Sequence, residues 1–186
     1  MTVAPRASSV QVHEVPNPLP RILERAGDDL GFREQLERAG VLIVPWEEYK
    51  NVDGPVFPPE TDEIFEYLRE QLPESIPVDL AVRDEDYREL GLHGELLFLP
   101  TLVMLVGAEA QVSLTINLLS NYVYDWAKRF RSRENGTVKS QVLINAEAKT
   151  ISITYEGPPG AFQETMKEAI RAALNTPADH GRKARR

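Results

Sequence analysis

Two short segments of the sequence combine acidic side chains, a tyrosine and a basic residue in the same order. The first is Glu47–Lys50 and the second is Asp84–Arg88. Each follows a short apolar run, Val41–Val44 or Val78–Val82, of the kind that forms a buried strand. If the two strands are parallel neighbours, both acidic segments lie at their carboxyl ends, where open α/β sheets place ligands.

Carboxylates gathered at one edge of a sheet are oxygen ligands of the kind that Mg²⁺ and Mn²⁺ prefer. His93, in a glycine-flanked loop, adds a group that can bind metal or act as a general base. The candidate metal ligands are therefore Glu47, Glu48, Asp84, Asp86 and His93. A divalent-metal-dependent hydrolase or nuclease is the enzymatic interpretation. The structural interpretation is helix capping, because acids favour the positive end of a helix dipole.

The amino-acid composition excludes several other kinds of catalytic and metal-binding site. The 186 residues include no cysteine and only three widely spaced histidines. Disulfides, thiolate nucleophiles and zinc–thiolate sites are therefore excluded, and the composition suits a reducing cytosol. The sequence has no G-x-S-x-G, H-E-x-x-H or dinucleotide-binding glycine pattern. We expect no resident cofactor unless the acidic segments bind metal.

Charge is unevenly distributed along the chain. Residues 1–95 hold 9 Lys and Arg against 21 Asp and Glu, whereas residues 96–186 hold 12 against 8. A nucleic-acid binder needs a basic face over most of its footprint, so this distribution makes nucleic acid an unlikely partner. The most apolar stretch, 96–130, is interrupted by Pro100 and Glu109, which argues against a membrane span.

The later part of that stretch predicts one long helix, residues 112–130. Val112, Ile116, Leu119, Val123 and Trp126 recur at steps of four and three and form one apolar seam. The other side carries small uncharged polar residues, which suit contact with another protein layer better than open solvent. The predicted interface residues are Ser113, Asn117, Ser120 and Asn121. We expect self-association or a protein partner at this face.

The remaining pattern indicates an α+β fold. The front half reads helix, strand, helix, strand, and the back half reads helix, β-hairpin, helix, with both packed around the helix at 112–130. Residues 1–18 are expected to form an extended arm with an edge strand, and residues 19–175 a single domain with a sub-boundary near 91–95. Residues 176–186 form a basic tail that we expect to be disordered.

These observations favour a non-enzymatic protein-interaction or regulatory module of a bacterial-type cytosol, homo-oligomeric through the long helix. The metal-dependent hydrolase or nuclease is the alternative. The acidic segments are the evidence for the metal-dependent alternative. The uncharged polar face of the long helix is the evidence for the interaction module.

Overall fold

A mixed β-sheet with helices on both faces organises the chain. The computed structural model describes residues 7–47, 49, 52–91, 96–105, 109–129, 136–146 and 149–175. The strands are β1 (Ser9–Val15), β2 (Val41–Val44), β3 (Val78–Leu80), β4 (Leu96–Phe98), β5 (Thr101–Met104), β6 (Thr137–Ala146) and β7 (Lys149–Gly157). The helices are α1 (Leu19–Arg25), α2 (Leu30–Arg38), α3 (Thr61–Gln71), α4 (Glu109–Arg129) and α5 (Phe162–Asn175). Short 3₁₀ turns occupy Asp84–Asp86 and Pro159–Ala161.

Within the described residues the sheet has seven strands in the order β1-β7-β6-β5-β2-β3, with β4 also paired to β6. β4 and β5 follow one another along β6 as two parts of an interrupted strand. Leu96 pairs with Thr137, and Leu102 pairs with Val142, so the β4–β5 segment holds one residue more than β6 over the same length. That extra residue is a bulge around Pro100, a residue that cannot donate to the ladder.

The α+β class predicted from the sequence is confirmed. β2 and β3 are parallel neighbours, and β6 and β7 form an antiparallel hairpin, both as predicted. The arrangement around a central helix differs from the structure, because the sheet is the central layer and α4 lies on one of its faces. The predicted helix at 112–130 corresponds to α4, and Phe130 lies outside the described residues.

The predicted N-terminal arm contributes a strand to the sheet, and the predicted sub-boundary does not divide the sheet. β1 forms within the predicted arm at 1–18 and pairs antiparallel with β7 at one edge of the sheet. Strands from both sides of the predicted sub-boundary at 91–95 belong to the same sheet, since β2 pairs with β5. The predicted tail, residues 176–186, lies outside the described residues.

Helices α3, α4 and α5 bury one face of the sheet. Alternate strand residues such as Ile43, Leu102 and Ile153 point to this face and belong to one core with Ile116 and Trp126 of α4. These five side chains are 2% exposed or less. Burying an apolar side chain of this size contributes about 1.5–3 kcal/mol, so this layer is the main source of stability.

Only part of the opposite face is buried by helices. α1 and α2 pack on Leu42 of β2, Val103 of β5 and Leu143 of β6. Farther along the same face, Gln11 and His13 of β1 are exposed. We call the region formed on this face by residues 137–141 of β6, by β7 and by β1 the open half of the sheet.

The N-terminus of α3 is held by side chains from distant segments. Thr61 is the first helical residue, and its hydroxyl donates to the Pro58 carbonyl oxygen at 2.7 Å. The Thr61 amide donates to Glu89 Oε1 at 2.6 Å, and the Tyr87 hydroxyl donates to the same oxygen at 3.0 Å. A carboxylate at this end of a helix also meets the positive end of the dipole. Glu89 therefore replaces a local cap.

None of the helices in the described ranges combines the length and apolar character that crossing a bilayer requires. The apolar stretch at 96–130 instead supplies two strands and the helix α4.

Candidate interaction surface

Arginines pair with two of the acidic residues predicted as metal ligands, Glu47 and Asp86. Glu47 forms ion pairs with Arg21 and Arg25 of α1, the second at 3.1 Å. Asp86 lies 4.0 Å from Arg83. The Arg83 guanidinium also donates to the carbonyl oxygen of Ala26 at 2.8 Å, so it ties the strand end to α1. These contacts use the carboxylates to dock α1 and its following loop onto the sheet.

The candidate ligands that the structure describes do not form a metal site among themselves. Asp84 is exposed on its 3₁₀ turn, and Glu48 and His93 lie outside the described residues. Among the residues that the structure describes, no group of three or more Asp, Glu or His side chains is placed to hold a metal ion. The sequence placed the two acidic segments at neighbouring strand ends correctly, but it gave no sign of the arginines. A carboxylate shared by two guanidinium groups is a poor metal ligand.

The polar side of α4 meets other parts of the same chain. Ser120 is 6% exposed, and its hydroxyl donates to the Ile116 carbonyl oxygen at 2.7 Å. Asn117 Oδ1 accepts a hydrogen bond of 3.4 Å from Gln163 of α5. Ser113 and Asn117 also line a cavity of about 160 Å³ between α4 and α5. The prediction that these residues form an interface with another chain is therefore wrong for Ser120, which is buried within its own chain.

Asn121, the fourth predicted interface residue, is exposed. It hydrogen-bonds Tyr67 of α3, whose pKa is raised by burial despite that bond. The small polar residues of α4 thus serve contacts with α5 and α3 on either side. Their uncharged character follows from helix packing inside the chain.

β1 presents the longest free edge in the described part of the sheet. It has seven residues, SVQVHEV, of which the first six are exposed and Val15 is half-buried. Val10 and Val12 are 39% and 44% exposed and lie opposite Tyr155 and Ile153 of β7, on the face that α5 covers. Beyond β1 the described residues contain no further strand. An edge with exposed valines and no proline, lysine or bulge is a template for pairing with another strand.

The open half next to β1 is polar and internally hydrogen-bonded. Gln141 of β6 donates to Ser152 Oγ of β7 at 3.2 Å, and its Oε1 accepts from Thr101 of β5 at 3.4 Å. Lys139 and Glu156 form a cross-strand ion pair of 3.1 Å. Such cross-strand pairs stabilise a solvated sheet face without an apolar cover. The open half therefore does not require a helix in order to be stable.

A groove of about 280 Å³ lies on this polar surface. Its aromatic wall consists of Trp46 and Phe98, whose rings meet edge to face with centroids 5.4 Å apart. Tyr49 stacks on Trp46 at 5.0 Å. Threonines, Gln141 and the Lys139–Glu156 pair line the opposite side. An aromatic wall beside polar strand residues can hold an extended peptide or a side chain from another protein.

Sequence reasoning identified β1 but not its importance. The alternation of valine with polar residues from Val10 predicts an edge strand, and the structure has one there. The groove was missed because Trp46, Phe98 and Gln141 come from three separate segments, and only the sheet order brings them together. A signal was present in the rarity of tryptophan, since the chain has two and the other is buried in the core.

Comparison of the chain with profiles of protein families, with curated proteins and with solved structures finds no match. The function has to be argued from the geometry of the chain itself.

Proposed function

We propose that this chain is a protein-interaction module without a catalytic role of its own, and that it binds an extended segment of a partner along β1. The observation that carries the proposal is the free seven-residue edge of β1, with Val10 and Val12 exposed at its centre. An added strand would bond to the outward amides and carbonyls of β1 and extend the sheet.

The surroundings of β1 support recognition of a particular segment. Side chains of an added strand alternate between the two faces of the sheet. On one face they would meet Val10, Val12 and α5, and on the other they would meet Gln11, His13 and the open half. An apolar and polar alternation in the partner therefore suits this edge. The absence of cysteine is consistent with action in a reducing compartment such as the cytosol.

A substitution at Val12 separates binding at this edge from folding. Val12→Lys places a charged side chain on the edge, which is how natural sheets block added strands. Val12→Thr is the matched control, because it keeps the β-branched shape. At a position 44% exposed, each substitution should change the free energy of unfolding by about 0.5 kcal/mol or less.

The measurement is quantitative co-purification with the tagged chain from its own cells, where an untagged copy of the chain is also present at native abundance. We expect a protein retained by the parent and by Val12→Thr and lost from Val12→Lys. If all three retain the same proteins in equal amounts, binding does not use β1 and the proposal is wrong.

Titration with Mg²⁺ or Mn²⁺ tests the metal-dependent alternative. A site that binds only the folded chain would add about 2.7 kcal/mol of stability at one hundred times its Kd. Because Glu47 is already paired with Arg21 and Arg25, we expect no metal-dependent change in the melting temperature at millimolar concentration. A shift that disappears in Glu47→Gln would support a metal site instead.

A further inference from the structure

We infer that the segment bound along β1 is β1 of a second copy, so that the sheets of two chains become continuous through an antiparallel pair of β1 strands about a twofold axis at Gln11. The inference rests on the proposed function of the β1 edge and names its partner. Three observations carry it, namely the sequence of β1, the placement of its side chains and the position of α5.

The β1 sequence is complementary to itself in one register. An antiparallel pair centred on Gln11 places Val10 opposite Val12 of the second copy, and Val12 opposite its Val10. Both valines lie on the face that α5 covers, opposite Tyr155 and Ile153. The pairing would bring four half-exposed valines together, and neighbouring β-branched residues on one face stabilise antiparallel strands.

The same register matches polar residues on the open half. Ser9 lies opposite His13 of the second copy, and Gln11 lies opposite itself. A register centred on Val12 is poorer, because it places Val10 opposite the carboxylate of Glu14 and leaves one valine pair instead of two. Moving the centre of the pairing from Gln11 to Val12 changes every cross-strand pair along the strand. The two registers therefore differ clearly in the contacts that they make.

The position of α5 permits this pairing and adds to it. α5 packs against both β7 and β1, so it lies over the boundary between them. Strands in a continuous sheet are about 4.8 Å apart, which places the α5 helices of the two copies roughly 10 Å from each other. This is the separation at which helices pack, about 8–10 Å. The twofold arrangement therefore brings helices together without a clash or a gap.

A single cysteine tests the register directly, because the chain has no cysteine of its own. In the Gln11→Cys variant the two introduced residues would lie opposite each other, with Cα atoms about 4.5–5.5 Å apart. That distance is within the range that a disulfide spans. We expect most of the folded protein to become a covalent dimer after oxidation with diamide.

Ser9→Cys is the matched control on the same face of the same strand. In the proposed register Ser9 and its symmetry mate are four residues apart along the strand, about 14 Å, too far for a disulfide. Both positions are exposed, so both variants should fold, which circular dichroism checks. Equal cross-linking of the two variants, or none of Gln11→Cys, overturns the inference.

Light scattering of the protein without cysteine provides the independent measurement. We expect a dimer for the parent and for Val12→Thr at tens of micromolar, and at least a tenfold weaker dimer for Val12→Lys. A monomeric parent overturns the inference. The proposed function would then still stand if the co-purification retains a different protein through β1. If Val12→Lys changes neither the light scattering nor the co-purification, the proposed function and the inference are both wrong.

Discussion

The two edges of the sheet are built differently. The β3 edge has three residues, and it is protected by its own side chain. The Ala81 amide donates inward to the Ile43 carbonyl oxygen of β2 at 2.9 Å, so the preceding amide, that of Leu80, points outward. Asp79 Oδ1 accepts from that Leu80 amide at 2.8 Å. The β1 edge has seven residues and exposed valines.

This difference indicates which edge of the sheet can pair with an added strand. Short strands and acidic residues are two of the devices with which proteins keep edges from pairing with other chains, and β3 has both. β1 is more than twice as long, and its acidic residue, Glu14, lies near its end and leaves the central valines exposed. A sheet that protects one edge and leaves the other free is the expected form of a module that adds a strand on one side only.

Alkaline pH should have the largest effect on stability, and Tyr155 should account for the part of that effect that arises beside β1. Burial raises the pKa of Tyr155 to about 12 from an ordinary 10, and this residue lies opposite Val10. Because the folded state holds this proton more tightly than the unfolded state, the raised pKa stabilises the fold. This contribution is present in full below pH 10 and is lost as the pH rises from 10 to 12. The Tyr155 part of the loss should be about 2–3 kcal/mol in the free energy of unfolding, measured by urea denaturation as the difference between the parent and Tyr155→Phe.

Tyr155→Phe is the control for that titration. It removes the ionisable group and the 2.6 Å hydrogen bond to the Pro158 carbonyl oxygen, so it should be less stable at neutral pH by about 1 kcal/mol. Between pH 10 and 12 its stability should fall less steeply than that of the parent. Burial and nearby carboxylates also raise the pKa of Tyr87 and Tyr122, so some slope remains. An unchanged slope would contradict the role given to Tyr155.

Two glycines allow the edges to be perturbed one at a time. A Cβ at Gly40 would meet Ile76 Cγ2 at 2.8 Å, beside β3, and a Cβ at Gly157 would meet the Tyr155 hydroxyl at 2.7 Å and Ser8 Cα at 2.9 Å, beside β1. Gly40→Ala should cost about 1–3 kcal/mol, because Ile76 is buried and cannot move freely. Gly157→Ala should cost a similar amount, because Tyr155 is buried and its hydroxyl is held by a hydrogen bond, although the exposed Ser8 can shift.

Hydrogen exchange distinguishes the two outcomes. Gly157→Ala should increase amide exchange in β1 and leave β3 unchanged, and Gly40→Ala should do the reverse. Gly160→Ala is the control, since a Cβ there meets no atom within 4 Å. Faster exchange of β3 in Gly157→Ala would mean that the two edges are coupled through the sheet.

The smallest expected effect concerns the protection of β3. Asp79→Ala removes the acceptor of the Leu80 amide and should cost about 0.5–1.5 kcal/mol. Asp79→Asn retains an oxygen acceptor at the same position and should recover most of that loss in urea denaturation. If the two variants are equally stable, the Asp79 carboxylate does not protect this edge through the hydrogen bond.

Local patterns predicted many elements correctly. The spacing of Ile116, Leu119 and Val123 predicted α4, and the alternation of valine with polar residues predicted β1. The short apolar runs before the acidic segments are β2 and the start of β3. Each of these signals lies within a few residues of what it determines.

The order of the strands was not predictable in this way. β5 stands between β2 and β6, and so joins the front of the sequence to the back. Its short apolar run does not specify a neighbour, and the bulge at Pro100 hides the continuity of β4 and β5. The arginine partners of Glu47 and the aromatic wall of the groove depend on this order. The candidate site was therefore less predictable than the elements that form it.

The pairing of β1 with β7 has a consequence for synthesis on the ribosome. The Ser9 hydroxyl and the Glu156 carbonyl oxygen that it bonds at 3.4 Å are 147 residues apart in sequence. β1 therefore leaves the ribosome long before its partner exists, at a rate of about 5–20 residues per second. For several seconds its valines have no native strand to pair with. Neighbouring nascent chains on one messenger carry the same self-complementary strand, so the first partner that β1 meets can be another copy still being translated.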